Sequence, residues 1–178
     1  MKTSRLVLAA AAVVAAAALL GGCKRARPEA GFYASKKFGF SIRFPKGWDA
    51  KDGEMKSAVT ATSPAAGAGE SGRLRASVSV EDLPESLGLE KYFALYMSNL
   101  SLVLPPGEEP EVGDAALGGL QAKRVVYNML IGKIRSRQVA YVLAEGKRGY
   151  ILTCGAPPDA FDEAEPEFRK IAESLRVE

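Results

Sequence analysis

The chain has 178 residues, no histidine, two cysteines and a formal net charge of +3. Without histidine there is no imidazole general acid–base, no Ser-His-Asp or Cys-His nucleophile and no His-ligated zinc. The small net charge excludes the basic footprint of a nucleic-acid-binding domain, so no nucleic-acid partner is expected.

The first 22 residues have the composition of a secretory signal: Lys2 and Arg5, then an apolar run over 6–20, then small residues. The run is about 15 residues, short of the roughly 20 that cross a bilayer. It ends in Leu20-Gly21-Gly22-Cys23, which resembles the lipobox of bacterial lipoproteins. The resemblance implies that residues 1–22 are removed and that Cys23 becomes the first residue and carries lipid, so that the membrane is a partner through that lipid. The alternative is an ordinary cleaved signal with a chance cysteine. Residues 23–31 read as a basic tether, with Lys24, Arg25 and Arg27. Each basic side chain contributes about 1 kcal/mol if it rests on anionic headgroups; otherwise the tether is simply solvated. Lys24, where an aspartate would retain a lipoprotein at the inner membrane, implies a periplasm-facing protein of the bacterial envelope, at the outer membrane rather than the inner.

Residues 32–178 have the size of one domain. A short strand is expected over 32–35. Over 38–44, Phe38, Phe40, Ile42 and Phe44 alternate with Gly39, Ser41 and Arg43, the pattern of a half-buried strand. Pro45-Lys46-Gly47 turns the chain, and Trp48 then plugs one end of the core. Strands are expected over 57–63 and 74–83, separated by the small, polar loop 64–73. The period changes over 87–102, where Leu89, Tyr92, Phe93, Tyr96, Met97 and Leu100 form a helical stripe, with Ser86 in the cap region. Strands follow over 114–117, 120–130, 133–144 and 149–156, joined by turns at Gly118-Gly119, Gly132 and Gly146. A last helix carries the stripe Phe161, Ala164, Phe168, Ile171, Ala172 and Leu175. Asp159 is its expected cap, and Pro166 is expected to start a second helical segment. The order β-β-β-β-α-β-β-β-β-α gives an α+β fold, an antiparallel sheet flanked by helices.

Residues 38–48 (FGFSIRFPKGW) resemble the opening of PsbP-like domains. So does the end, where Gly149-Tyr150-Ile151-Leu152-Thr153-Cys154 runs through Pro157-Pro158 to Phe161-Asp162 and a helix closes on IAESL. The resemblance covers most of residues 32–178. It implies an α-β-α sandwich of the kind found in extrinsic photosystem subunits and in DcrB-like envelope lipoproteins. It carries no compact site motif, so no cofactor, metal or catalytic residue is implied.

Three features were weighed for chemistry. Cys154 sits in an apolar strand with no histidine and no second thiol to activate or resolve it, so a buried structural thiol is expected. Lys133, Arg135 and Arg137 alternate along one strand, with Lys123 on the strand before; together they form either a partner surface or an ordinary solvated sheet face. Asp159, Asp162, Glu163, Glu165 and Glu167 lack calcium-loop spacing and read as helix-start charge. The preferred reading is a non-catalytic lipoprotein domain in an accessory or protein-interaction role at a membrane complex. The alternatives are a small-ligand or metal-binding lipoprotein with a pocket under the 64–73 loop, and a histidine-free enzyme built from tyrosine, lysine and carboxylates.

Overall fold

The computed structural model describes residues 31–53, 57–65, 72–85, 87–132 and 134–178. Cys23, Ser86, Lys133 and most of the 64–73 loop lie outside the described residues. In chain order the elements are β1 (Phe32–Ser35), β2 (Phe40–Arg43), β3 (Asp49–Asp52), β4 (Ser57–Thr62), β5 (Arg75–Asp82), α1 (Leu89–Ser101), β6 (Glu111–Leu117), β7 (Leu120–Ile131), β8 (Ile134–Glu145), β9 (Arg148–Ala156), α2 (Phe161–Ser174) and β10 (Arg176–Val177).

Seven strands form one antiparallel sheet in the order β3-β4-β5-β9-β8-β7-β6, and β1-β2-β10 form a second, smaller one. The large sheet has a helix on each face. On one face α2 and the small sheet share a core with Ala76, Val78, Val139, Tyr141, Leu143, Leu152 and Cys154. On the other, α1 packs over β7 and β8 around Leu100, Val125, Tyr127 and Ala140. This is the α+β sandwich that the alternation and the two helical stripes imply.

The apolar patterns explain the layers. Phe40, Ile42 and Phe44 are buried as one row of β2 and its continuation, facing α2 and the large sheet. Trp48 stacks on Phe44 at 6.5 Å between centroids, and its indole N–H donates to Glu167 Oε1 at 3.1 Å, closing the core edge beside α2. The α2 stripe is buried in full, from Phe161 to Leu175. Tyr150 lies under the small sheet and donates its hydroxyl to the Phe38 carbonyl at 3.0 Å. Gly149 leaves room for the Tyr92 ring, which lies where a Cβ would be. That close approach is how the N-terminal turn of α1 seats on β9.

The structure corrects several local expectations. The last helix is a single helix with Pro166 inside it, not two segments. Pro166 faces solvent, as does Asp162 four residues earlier, so the carbonyl that loses its helical partner can be hydrated. Asp159 does not cap this helix. Ala160 takes the cap position in helical geometry, and the chain enters through the Ala160 N–H to Pro157 carbonyl bond at 3.0 Å. At α1 the cap position is Gly88, with no side-chain cap bond. Two strands went unread. All four residues of β3 are exposed, so it has no apolar alternation, and β10 is only two residues long.

Candidate functional site

Of the four basic residues expected on one surface, the three that are described, Lys123, Arg135 and Arg137, are divided by the sheet. The β7–β8 register pairs odd-numbered residues of one strand with even-numbered residues of the other: Lys123 with Val142, Asn128 with Arg137, Leu130 with Arg135. Directly opposed residues share a face. Lys123 therefore lies on the α1 face with Val125 and Tyr127, whereas Arg135 and Arg137 lie on the α2 face with Val139 and Tyr141. Lys123 does not join the arginines. Its ammonium reaches Asp114 Oδ1 at 2.8 Å and Glu90 Oε1 at 2.9 Å, tying β6 to the first turn of α1. Those hydrogen bonds, to Asp114 first and Glu90 second, raise its pKa and keep it charged.

Arg137 is likewise engaged. Its guanidinium lies 5.1 Å from the Phe161 ring centroid, 3.1 Å from Glu111 Oε1 and 3.9 Å from Asp162 Oδ1. It joins β8, β6 and the start of α2. Arg135 is exposed, with no carboxylate partner among the described residues. The acidic cluster at α2 is also dispersed: Glu165 pairs with Arg124, Glu167 receives the Trp48 indole, and Asp162 faces Arg137. Among the described residues no three His, Cys, Asp or Glu side chains converge on a metal position.

Cys154 is fully buried, and burial pushes its thiol pKa far above the ordinary value. In the folded chain it is expected to be inert to an aromatic disulfide reagent and to react fully once denatured. Rapid reaction in the native state would contradict its placement. On the α1 side, Tyr92 donates to Glu81 Oε2 and Tyr127 donates to Gln138 Oε1, each at 3.0 Å. Burial first, and for Tyr92 the Glu81 charge second, raises both hydroxyl pKa values. Tyr96 is raised in the same way by burial, then by Tyr127. These phenols stay protonated at neutral pH, the opposite of what a tyrosine base requires.

Two open surfaces remain. One is a cleft of about 630 Å³ lined by Asp82, Glu145, Lys147, Arg148, Tyr150 and Glu178, with Arg148 Nε 3.4 Å from Asp82 Oδ1. The other is the part of the α1 face beyond β8. There α1 reaches β9 and β5 through Tyr92, but its main packing is on β7 and β8. Cross-strand register lines up Lys51, Thr60, Ser77 and Thr153 in one row, and Asp49, Thr62, Arg75 and Gly155 in the next. The hydroxyl residues of these rows are half-buried. Among the described residues the result is a sheet face of small, hydrogen-bonding side chains, not covered by α1, with charges toward one edge. Sequence reading missed it because the rows are set by the pairing of β3, β4, β5 and β9 across the sheet, and β3 carries no apolar signal.

No family model matches the chain, and no curated protein matches it in sequence. Solved structures do. The cyanobacterial PsbP protein CyanoP from Synechocystis sp. PCC 6803 superposes with a TM-score of 0.61 at 18% identity, covering 89% of this chain and 99% of that one. LpqN of Mycobacterium tuberculosis, described as involved in cell envelope biogenesis, gives 0.60 at 14% identity, covering 78% and 82%. A Pseudomonas aeruginosa protein of unknown function, PA94, described as a putative regulator, gives 0.58 at 15% identity, covering 83% and 96%. The chain has the PsbP-like fold. At these identities the likeness is one of fold.

Proposed function

We propose that this chain is a bacterial envelope lipoprotein whose domain binds a protein of a membrane complex and is not a catalyst. In this reading Cys23 carries the lipid, residues 24–31 form the tether, and the domain faces the periplasm. The signal-like segment ending in Leu-Gly-Gly-Cys, and the lysine rather than aspartate after it, support anchoring at the outer membrane. The fold shared with LpqN, a protein of envelope biogenesis, supports the setting.

The observation that carries the binding role is the sheet face of Thr60, Ser77 and Thr153 that α1 leaves uncovered. Small molecules favour concave sites with apolar walls, whereas a flat, polar sheet surface suits a macromolecule. No helix among the described residues is long and apolar enough to cross a membrane.

The test is photo-crosslinking in intact envelopes, with a benzophenone side chain placed at Ser77 and, as control, at Leu95 on the outer side of α1. One recurrent partner is expected from Ser77, absent from Leu95 and lost with Cys23→Ala. An identical pattern from both positions, or no crosslink from either, would overturn the binding role.

A further inference from the structure

Seven large hydrophobic side chains are exposed among the described residues, and four of them gather at one end of the fold: Leu102, Val103, Leu130 and Ile134. The end can be located by register. Asp49, Thr62, Arg75, Gly155, Gln138 and Tyr127 form a row across the large sheet. Beyond this row β9 adds one more pair, Ala156 with Arg137, and β7 and β8 then continue alone for three residue pairs, to Ile131 and Ile134. At about 3.3 Å per residue the hairpin overhangs by about 10 Å. The last turn of α1 lies at the same end. Leu104 and Met129 pack in one cluster, and Glu108 Oε1 accepts from the Asn128 backbone and side-chain amides at 2.9 and 3.0 Å. Leu130 and Ile134 point to opposite faces of the overhang, each more than half exposed, and Leu102 is 81% exposed.

The described chain begins at this end as well. β2 runs away from Tyr150 and Arg148, at the far end of the sheet, toward Phe44. The Phe44 N–H donates to the Gly31 carbonyl at 2.7 Å, and the Phe44 ring stacks on Trp48, the neighbour of Asp49 in the row. Eight residue steps separate Gly31 from Cys23, at most about 28 Å of fully extended chain. A lipid on Cys23 would hold this end of the domain within that distance of the bilayer.

We propose that the β7–β8 overhang, with Leu102 and Val103 at the same end, is a membrane-contact surface that enters the lipid interface beside the anchor. The inference rests on the lipoprotein reading above. Among the described residues the neighbouring charges are mixed, with exposed Arg135 and Arg75 against Asp159, Asp162, Glu109 and Glu111. The contact is therefore driven by apolar burial and not by attraction to anionic headgroups, and it persists at high salt.

The test uses the full chain purified from envelopes and reconstituted in phosphatidylethanolamine–phosphatidylglycerol vesicles with brominated acyl chains. In a Trp48→Phe background, the only indole is introduced by Ile134→Trp or, as control, by Leu95→Trp. The Ile134→Trp indole is expected to shift to the blue and lose about half its emission, as a ring 5–10 Å into the headgroup–acyl boundary does. The Leu95→Trp indole is expected to be unaffected. Adding Leu102→Ser, Val103→Ser and Leu130→Ser, all at exposed positions, should abolish the quenching without changing the circular dichroism. Equal quenching at both positions, or none at 134, overturns the inference. The intact mass of the same sample separates the two claims. Lipid present with an unquenched indole sinks the contact surface alone, whereas a chain without lipid sinks the anchor and the contact surface together.

Discussion

Phe168→Ala is expected to remove about 3–5 kcal/mol of folding stability. That is a large part of the 5–15 kcal/mol typical of a domain. Phe168 is fully buried, and its ring lies 5.9 Å from Phe161 in the core beneath α2. That core also receives Phe40, Ile42 and Phe44 from the small sheet, so three elements would face the cavity. The backbone around such a site cannot collapse from one side alone. Urea unfolding should show a lower midpoint with an unchanged slope. Leu102→Ala, at an exposed position, should stay within about 0.5 kcal/mol of the parent. A loss below 1 kcal/mol for Phe168→Ala would mean that α2 is not docked as described.

Stability is expected to be nearly level through neutral pH and to fall steeply above about pH 9–10. Tyr92, Tyr127, Tyr141 and Cys154 are all buried with raised pKa values, in each case chiefly through burial. At Tyr141 burial outweighs the opposing pull of Arg124. The sign follows from proton counting. Above the unfolded values, near 10 for tyrosine and 9 for cysteine, the unfolded chain has released protons that the folded chain still holds. The unfolded state then binds fewer protons, so stability declines as pH rises, by up to about 1.4 kcal/mol per pH unit for each group. The contribution is fully present below the unfolded pKa and is lost on the way to the folded one. Tyr92→Phe should make the alkaline slope shallower by about one group. Identical slopes for parent and variant between pH 9.5 and 11 would show that Tyr92 keeps ready access to water.

Much of the fold was legible because its cores are written as alternation. Phe40, Ile42 and Phe44, then Ala76 and Val78, then the α2 stripe, each lie on the face their spacing assigns. What was not legible depends on register or on context. The division of Lys123 from Arg135 and Arg137 is set by the two-residue turn at 132–133, which pairs Ile131 with Ile134 and fixes the parity of the whole hairpin. A shift of one residue would have put all of them on one face. β3 has no hydrophobic signal, because Asp49–Asp52 is an exposed edge strand held by backbone pairing to β4 and by the Tyr33 hydroxyl on Asp52, not by apolar burial. Pro166 reads as a helix boundary in isolation, yet Phe161 and Ala164 before it and Phe168 after it share one core, and that packing carries the helix through. Leu130 and Ile134 read as ordinary strand positions. Only the overhang of β7 and β8 past their neighbours shows that nothing in the sheet covers them.

The proposed function stands on a lipid at Cys23 that would hold this domain at the envelope membrane. The most direct measurement is the intact mass of the protein extracted from that membrane, with its N-terminal peptide sequenced by fragmentation. A chain beginning at Cys23 is expected, with a mass increment of acyl chains on that residue that Cys23→Ser lacks. A mature chain beginning elsewhere, or one beginning at Cys23 with no lipid, would contradict it.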